Sequence, residues 1–274
     1  MSKDLYEEIV RLRSEGVCAA LATILTKKGA TPRKETAKML IYDDGRQLGS
    51  IGGGSIESDV CQEARAVIET GKPALMHFDL SNIDPEESAL VCGGSMDVYV
   101  EPISPEPTII IFGTGHVCKA LANAGKLAGF RIAVVDDRVK HANRDRFPGA
   151  DVFHVGDWNA ALKQVKPSSF SCLFIATREH ASDLMCLRFA LQSSAKYIGM
   201  LGSRKKARIL FDALEKEGVE PSQFDRIVVP AGFDIGSETP EEIAASIVAE
   251  LIAVYKNRDF RSMRDAIRRC NVQC

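Results

Sequence analysis

From residue 108 to residue 256 the sequence alternates short branched-apolar runs with longer amphipathic stretches, a rhythm that few folds accommodate. TIIIF (108–112), RIAVVD (131–136), DVFHV (151–155), FSCLFIA (170–176), KYIGM (196–200) and RIVVP (226–230) read as strands. Helical spacing fills the stretches near 116–128, 181–192, 204–217 and 240–256. Repeated strand–helix alternation predicts a parallel sheet covered on both faces.

The first strand of this series runs into Gly113-Thr114-Gly115-His116-Val117-Cys118 and then into a helix. Gly113 suits a tight turn, Gly115 lets a phosphate approach the backbone, and small Cys118 stands where a third glycine or alanine would pack helix on sheet. The second strand ends in VVDDR, and its Asp136 lies 23 residues beyond Gly113, where a carboxylate would bind a ribose hydroxyl. The context predicts a Rossmann-like fold. An NAD(P)-type ligand does not follow from it, because fold does not name the ligand.

The segment PISPEP (102–107) places three prolines in six positions, so it reads as a linker with a domain boundary near residue 105. Before it, residues 3–15 carry Leu5, Ile9 and Leu12 at helical spacing. CAALATIL (18–25), KMLIY (38–42), ALMHFDL (74–80) and SMDVYVEPI (95–103) read as strands. Between them lies GSIGGGSIESDVC (49–61), a second glycine-rich turn that opens a helix ending at Gly71. Such a turn is a ready anion site, with Gly52, Gly53, Gly54 and Ser55 offering N–H donors and a hydroxyl. The plainer reading is a tight strand–helix connection, with Glu57 complementing the helix dipole. The organisation expected is 1–104 as an N-terminal α/β domain, 105–256 as a Rossmann-like domain and 257–274 as a charged tail.

Other candidates lie at loop positions. Leu201-Gly202-Ser203-Arg204-Lys205-Lys206 offers a glycine, a hydroxyl and three cations at a helix start, a phosphate receptor or an ordinary basic first turn. His180 and Asp183 are spaced to form an oriented imidazole. His116 follows the Gly113–Gly115 turn and either meets the ligand or caps the helix. Arg33, after Thr31-Pro32, is a candidate contact through its planar fork. Thr239, Pro240 and Glu242 form a helix start with a capping box. Trp158 reads as core.

Eight cysteines are scattered without a CxxC pair or zinc spacing, and most read as small core hydrophobes. Cys92, in VCGGSM, is the candidate thiol for metal or sulfur chemistry, beside two flexible glycines; the plainer reading is a half-buried cysteine before a turn. A formal net charge of -2 gives no drive towards nucleic acid, and no apolar run approaches the roughly 18–20 residues of a membrane span. The charged, amphipathic start lacks a signal-peptide core, so the expected location is the cytoplasm.

GATPRKETAKML, GSIGGGSIES, CGG at Cys92, GTGHVCKAL, VVDDR, YIGMLGSRKK and GFDIGSETPEEIAASIVAEL follow one another in order. As a set they resemble the XdhC/CoxI family of molybdenum-cofactor accessory proteins, over about residues 16 to 256. The resemblance implies an N-terminal XdhC/CoxI domain and a Rossmann-like domain. It also implies a chaperone without turnover that binds molybdopterin, protects it during sulfuration and delivers it to a xanthine-dehydrogenase-type apoenzyme. Implied partners are that apoenzyme and a cysteine desulfurase; a homodimer is the default assembly. Cofactor contacts are expected among the two glycine turns, Arg33, Cys92, Asp136, His180 and the Gly202–Arg204 loop, with Cys92 as the metal-contacting thiol. Where the family has Thr-His-x-His, this chain has Thr177-Arg178-Glu179-His180, so only Thr177, His180 and Asp183 carry over. Two alternatives stay open on the Rossmann turn: an NAD(P)-dependent oxidoreductase, and a nucleotide-binding assembly regulator.

Overall fold

A computed structural model describes residues 4–28, 37–79 and 94–258. They form two compact units, one up to Glu106 and the other from Pro107.

The first unit runs α1 (Leu5–Glu15), β1 (Ala19–Lys28), β2 (Lys38–Tyr42), β3 (Gln47–Gly49), α2 (Gly54–Thr70), β4 (Ala74–Asp79) and β5 (Ser95–Ile103). Its five strands form an antiparallel sheet in the order β3-β2-β1-β5-β4. Alternation along the strands decides which face each side chain meets. Ala20, Ala22 and Ile24 of β1 and Val98 and Val100 of β5 pack with Ile56, Val60, Ala64 and Val67, the buried stripe of α2. The opposite face carries Ala19, Leu40 and Tyr42, which pack with Leu12 of α1. Glu8 of that helix is buried, and it accepts a hydrogen bond from the Tyr42 hydroxyl at 2.7 Å and an ion pair from Arg11 at 2.6 Å. The sequence pattern did not anticipate β3. It forms because Gly45 N–H bonds to the Tyr42 carbonyl at 3.0 Å, turning Gln47–Gly49 back onto β2.

The second unit runs β6 (Thr108–Phe112), α3 (His116–Leu127), β7 (Arg131–Asp136), β8 (Val152–Val155), α4 (Trp158–Gln164), β9 (Ser171–Ile175), α5 (His180–Leu191), β10 (Tyr197–Met200), α6 (Arg204–Lys216), β11 (Ile227–Val228) and α7 (Pro240–Tyr255). A 3-10 turn at Pro221–Arg226, also unanticipated, leads into the two-residue β11. The six strands are parallel in the order β11-β10-β9-β6-β7-β8. This is the doubly wound arrangement, whose direction of winding reverses between β6 and β9.

Both faces are covered, as continuous apolar strands require. Ile110 and Phe112 of β6 face α4, α5 and α6, whereas Ile109 and Ile111 face α3 and α7. Trp158 packs into the first of these cores. On α3 the close approach to the sheet falls at Gly125, where a Cβ would stand 2.6 Å from Ile109 Cδ1. The Thr239–Glu242 capping box is present at the start of α7. No helix among the described residues is long and apolar enough to cross a membrane.

Candidate functional site

The first glycine turn closes around a carboxylate of its own chain. Gly52, Gly53 and Gly54 take φ values of 150, 91 and 70°, a run that side chains with a Cβ rarely allow. It directs Ile51, Gly52 and Gly53 N–H groups to Glu57 Oε1 at 3.0, 3.2 and 2.9 Å. The Ser50 hydroxyl donates to the same oxygen at 2.6 Å. Partial burial raises the Glu57 carboxyl, but the hydrogen bonds from Ser50 and the three amides outweigh it and hold the group below its ordinary range. Glu57 therefore does more than complement the dipole: it is the anion these donors enclose. Gly54 and Ser55 remain exposed on the first turn of α2, which has no side-chain cap. A carboxylate four residues after Gly53 is the legible signal, since a first-turn acid can reach back to free amides as in a capping box.

The second turn stands at the carboxyl end of β6. Gly113 has φ 118°, and a Cβ there would lie 2.2 Å from the Ala176 carbonyl oxygen, so the loops after β6 and β9 meet at this glycine. Gly115 is the N-cap of α3 without a side-chain hydrogen bond, and a Cβ there would have no neighbour within 4 Å. His116, the first residue of α3, is exposed.

Asp136, the expected ribose acceptor, is buried beneath this turn. Its Oδ2 accepts from the Thr114 hydroxyl at 2.8 Å and Arg138 Nη2 at 3.0 Å. Its Oδ1 accepts from Arg138 N and Nε, each at 2.9 Å. A carboxylate has about four acceptor positions, and all are filled from within the protein. Burial raises this carboxyl, and the hydrogen bonds from Arg138 and Thr114 more than reverse the effect, holding it below the usual range. Thr114 and Arg138 are the partners that motif reading passed over.

The loops after β9 and β10 reach the same edge of the sheet. Asp183 is fully buried; its Oδ1 accepts from Thr177 N at 3.1 Å and Thr177 Oγ1 at 2.8 Å. Its other oxygen faces Lys206 Nζ at 2.6 Å, a charge contact rather than a well-aligned hydrogen bond. The expected His180–Asp183 pair does not form, because Asp183 turns inward to Thr177 and Lys206 while His180 is exposed. The Ser203 hydroxyl caps α6 by accepting from Lys206 N at 3.2 Å, with Arg204 exposed and Gly202 half-buried beside it. Gly113, Gly115, His116, Asp136, His180, Gly202, Ser203 and Arg204 thus share one edge of one sheet, at its loops and helix starts.

Arg33 and Cys92 lie outside the described residues. Among the described residues no group of three or more His, Cys, Asp or Glu side chains is placed to hold a metal ion. Cys118, Cys172 and Cys186 are core residues; burial pushes the Cys118 and Cys172 thiols up to about 12.

Residues 109–251 match the family described as the XdhC Rossmann domain, and residues 12–79 match the XdhC and CoxI family. The uncharacterized protein YqeB of Escherichia coli (strain K12) is 32% identical over 257 residues, covering 93% of this chain and 47% of YqeB. The chain thus spans about half the length of that relative. The molybdenum cofactor insertion chaperone PaoD of Escherichia coli (strain K12) is 19% identical over 289 residues, which cover 93% of this chain and 91% of PaoD. A crystal structure described as a xanthine dehydrogenase from Bacillus halodurans superposes with a TM-score of 0.51 at 25% identity, covering 92% of this chain and 96% of that one. With a glycine turn in each unit and a doubly wound sheet that matches along almost its whole length, the chain belongs to the XdhC and CoxI family.

Proposed function

We propose that this protein binds molybdenum cofactor and assists its sulfuration and delivery to a molybdenum hydroxylase of the xanthine dehydrogenase type. The observation that carries the reading is the pairing, in order, of both family domains in one chain, together with similarity across nearly all of an insertion chaperone. The geometry supports it: a phosphate-bearing ligand suits a helix start whose amides have no side-chain cap, and α2 and α3 each begin that way.

The residues proposed to meet the cofactor are exposed Gly54 and Ser55, the Gly113–His116 turn, the Gly202–Arg204 loop, His180, Arg33 and Cys92. Gly52 and Gly53 shape the first turn around Glu57, and their amides reach a ligand only when that carboxylate moves aside. Asp136 acts through Arg138 and Thr114 rather than by direct contact. In this reading the protein is a carrier in the cytoplasm with no turnover of its own, its partners are the apoenzyme and a cysteine desulfurase, and it works as a homodimer.

Anaerobic gel filtration with released cofactor tests the proposal. Pterin fluorescence and molybdenum should coelute with the protein in stoichiometric amount, and Cys92→Ala should lose the metal. A protein fraction free of both pterin and molybdenum would sink the carrier reading.

A further inference from the structure

Thr114, at the centre of the Rossmann turn, is gripped by two guanidinium groups. Arg138 Nη2 donates to its hydroxyl at 2.9 Å, and Arg146 Nη2 donates to its carbonyl at 3.1 Å. Both arginines come from the segment after β7, from which dinucleotide-binding domains read the adenosine ribose. There a carboxylate accepts the ribose 2′-hydroxyl, or an arginine accommodates a 2′-phosphate. Here the first option is closed, because Thr114 and three donors of Arg138 fill the acceptor positions of Asp136.

The charges point to the second option. Asp136 balances Arg138 at 2.9 Å, and Asp137 balances Arg178 at 2.9 Å. Arg146 is bonded to the Thr114 carbonyl and lies 3.0 Å from His141 Nδ1, and no carboxylate among the described residues pairs with it. Arg138 Nη1 likewise has no partner among them. A half-buried cation without a counter-ion, next to an open helix start, suits an oxyanion such as phosphate, which the planar guanidinium of arginine binds in a fixed fork.

We propose that the Rossmann unit binds a nucleotide with a ribose 2′-phosphate, of the NADP class, with Arg146 and Arg138 taking that phosphate and the Gly115–His116 helix start taking the pyrophosphate. This ligand is not the molybdenum cofactor, and because both call on the Gly115–His116 helix start the two exclude one another there; the inference stands on the second unit alone.

Calorimetric titration of the full chain with 2′,5′-ADP and 5′-AMP, and with NADPH and NADH, tests it at fixed ionic strength. The 2′-phosphorylated member of each pair should bind at least about tenfold tighter, the scale of one charge-assisted fork. Arg146→Gln should bring 2′,5′-ADP down to the level of 5′-AMP and leave 5′-AMP unchanged. Arg138→Gln, the second variant, frees acceptor positions on Asp136 and should move the preference towards NADH. Equal affinities within the pairs, tighter NADH binding to the wild type, or no nucleotide bound by a chain with native circular dichroism would each overturn the proposal. So would an Arg146→Gln protein that folds and keeps its selectivity.

Discussion

Lys206 Nζ stands 2.6 Å from Asp183 Oδ2, joining the start of α6 to the first turn of α5 at the loop edge of the parallel sheet. Asp183 is buried, with this ammonium and Thr177 as its partners. Removing the cation leaves a buried carboxylate uncompensated. Lys206→Met should destabilise the second unit by about 3–5 kcal/mol. Trp158, the single tryptophan, lies in that unit and reports its unfolding in urea. Adding Asp183→Asn to Lys206→Met should cost less than the sum of the two changes, because the pair is coupled.

Glu57 predicts a local effect in the first unit. Glu57→Ala removes the acceptor for three amides and should cost about 1–3 kcal/mol. Hydrogen exchange should quicken at Ile51, Gly52 and Gly53 before the rest of the unit is affected. The pH dependence has a definite sign. The folded carboxyl lies below its ordinary value, so its contribution is fully present above the unfolded pKa and is lost as pH falls through the folded one. Stability curves of wild type and Glu57→Gln should therefore converge on acidification.

The two glycines of the Rossmann turn should behave oppositely. Gly113→Ala combines φ 118° with a Cβ 2.2 Å from the Ala176 carbonyl, and strain and overpacking each cost about 1–3 kcal/mol. Gly115→Ala meets nothing within 4 Å at φ −67°, so the melting temperature should stay close to that of the wild type. The added methyl nevertheless occupies the approach to the α3 amides, and nucleotide affinity should fall. Thermal melts and titrations on the same two variants separate the scaffold role from the binding role.

Thiol labelling gives a further test. At pH 8 in the native state, Cys118 and Cys172 should resist iodoacetamide, because their thiols are buried and pushed up to about 12. Mass spectrometry should find label at these positions only after denaturation. Rapid native labelling of either would contradict their place in the core.

The parallel sheet was legible because β6, β7 and β9 are apolar on both faces and end at glycine, aspartate or threonine loops. Local sequence likewise revealed the Thr239 capping box and the helix that ends at Gly71. The three-residue β3 carries no periodicity of its own; the turn at Gly45 makes it a strand. The site was less legible for a related reason. Gly113, Gly115 and Asp136 stood out by spacing, yet whether a carboxylate is free depends on partners such as Thr114, 22 positions away. His180 and Asp183 share one helical turn, and Asp183 is drawn from the histidine by Lys206, 23 residues further on. Spacing shows which groups can meet, whereas competition among donors decides which do.

The proposed carrier role requires that a guest be received and given up. The Ser50–Gly53 turn keeps its shape with Glu57 seated in it, so that shape does not wait for a visitor. A ligand anion arriving at those amides changes places with one already there, and on its departure the carboxylate returns. In the proposed carrier role, loading and release at this turn are a swap of counter-ions on a turn whose shape is already set.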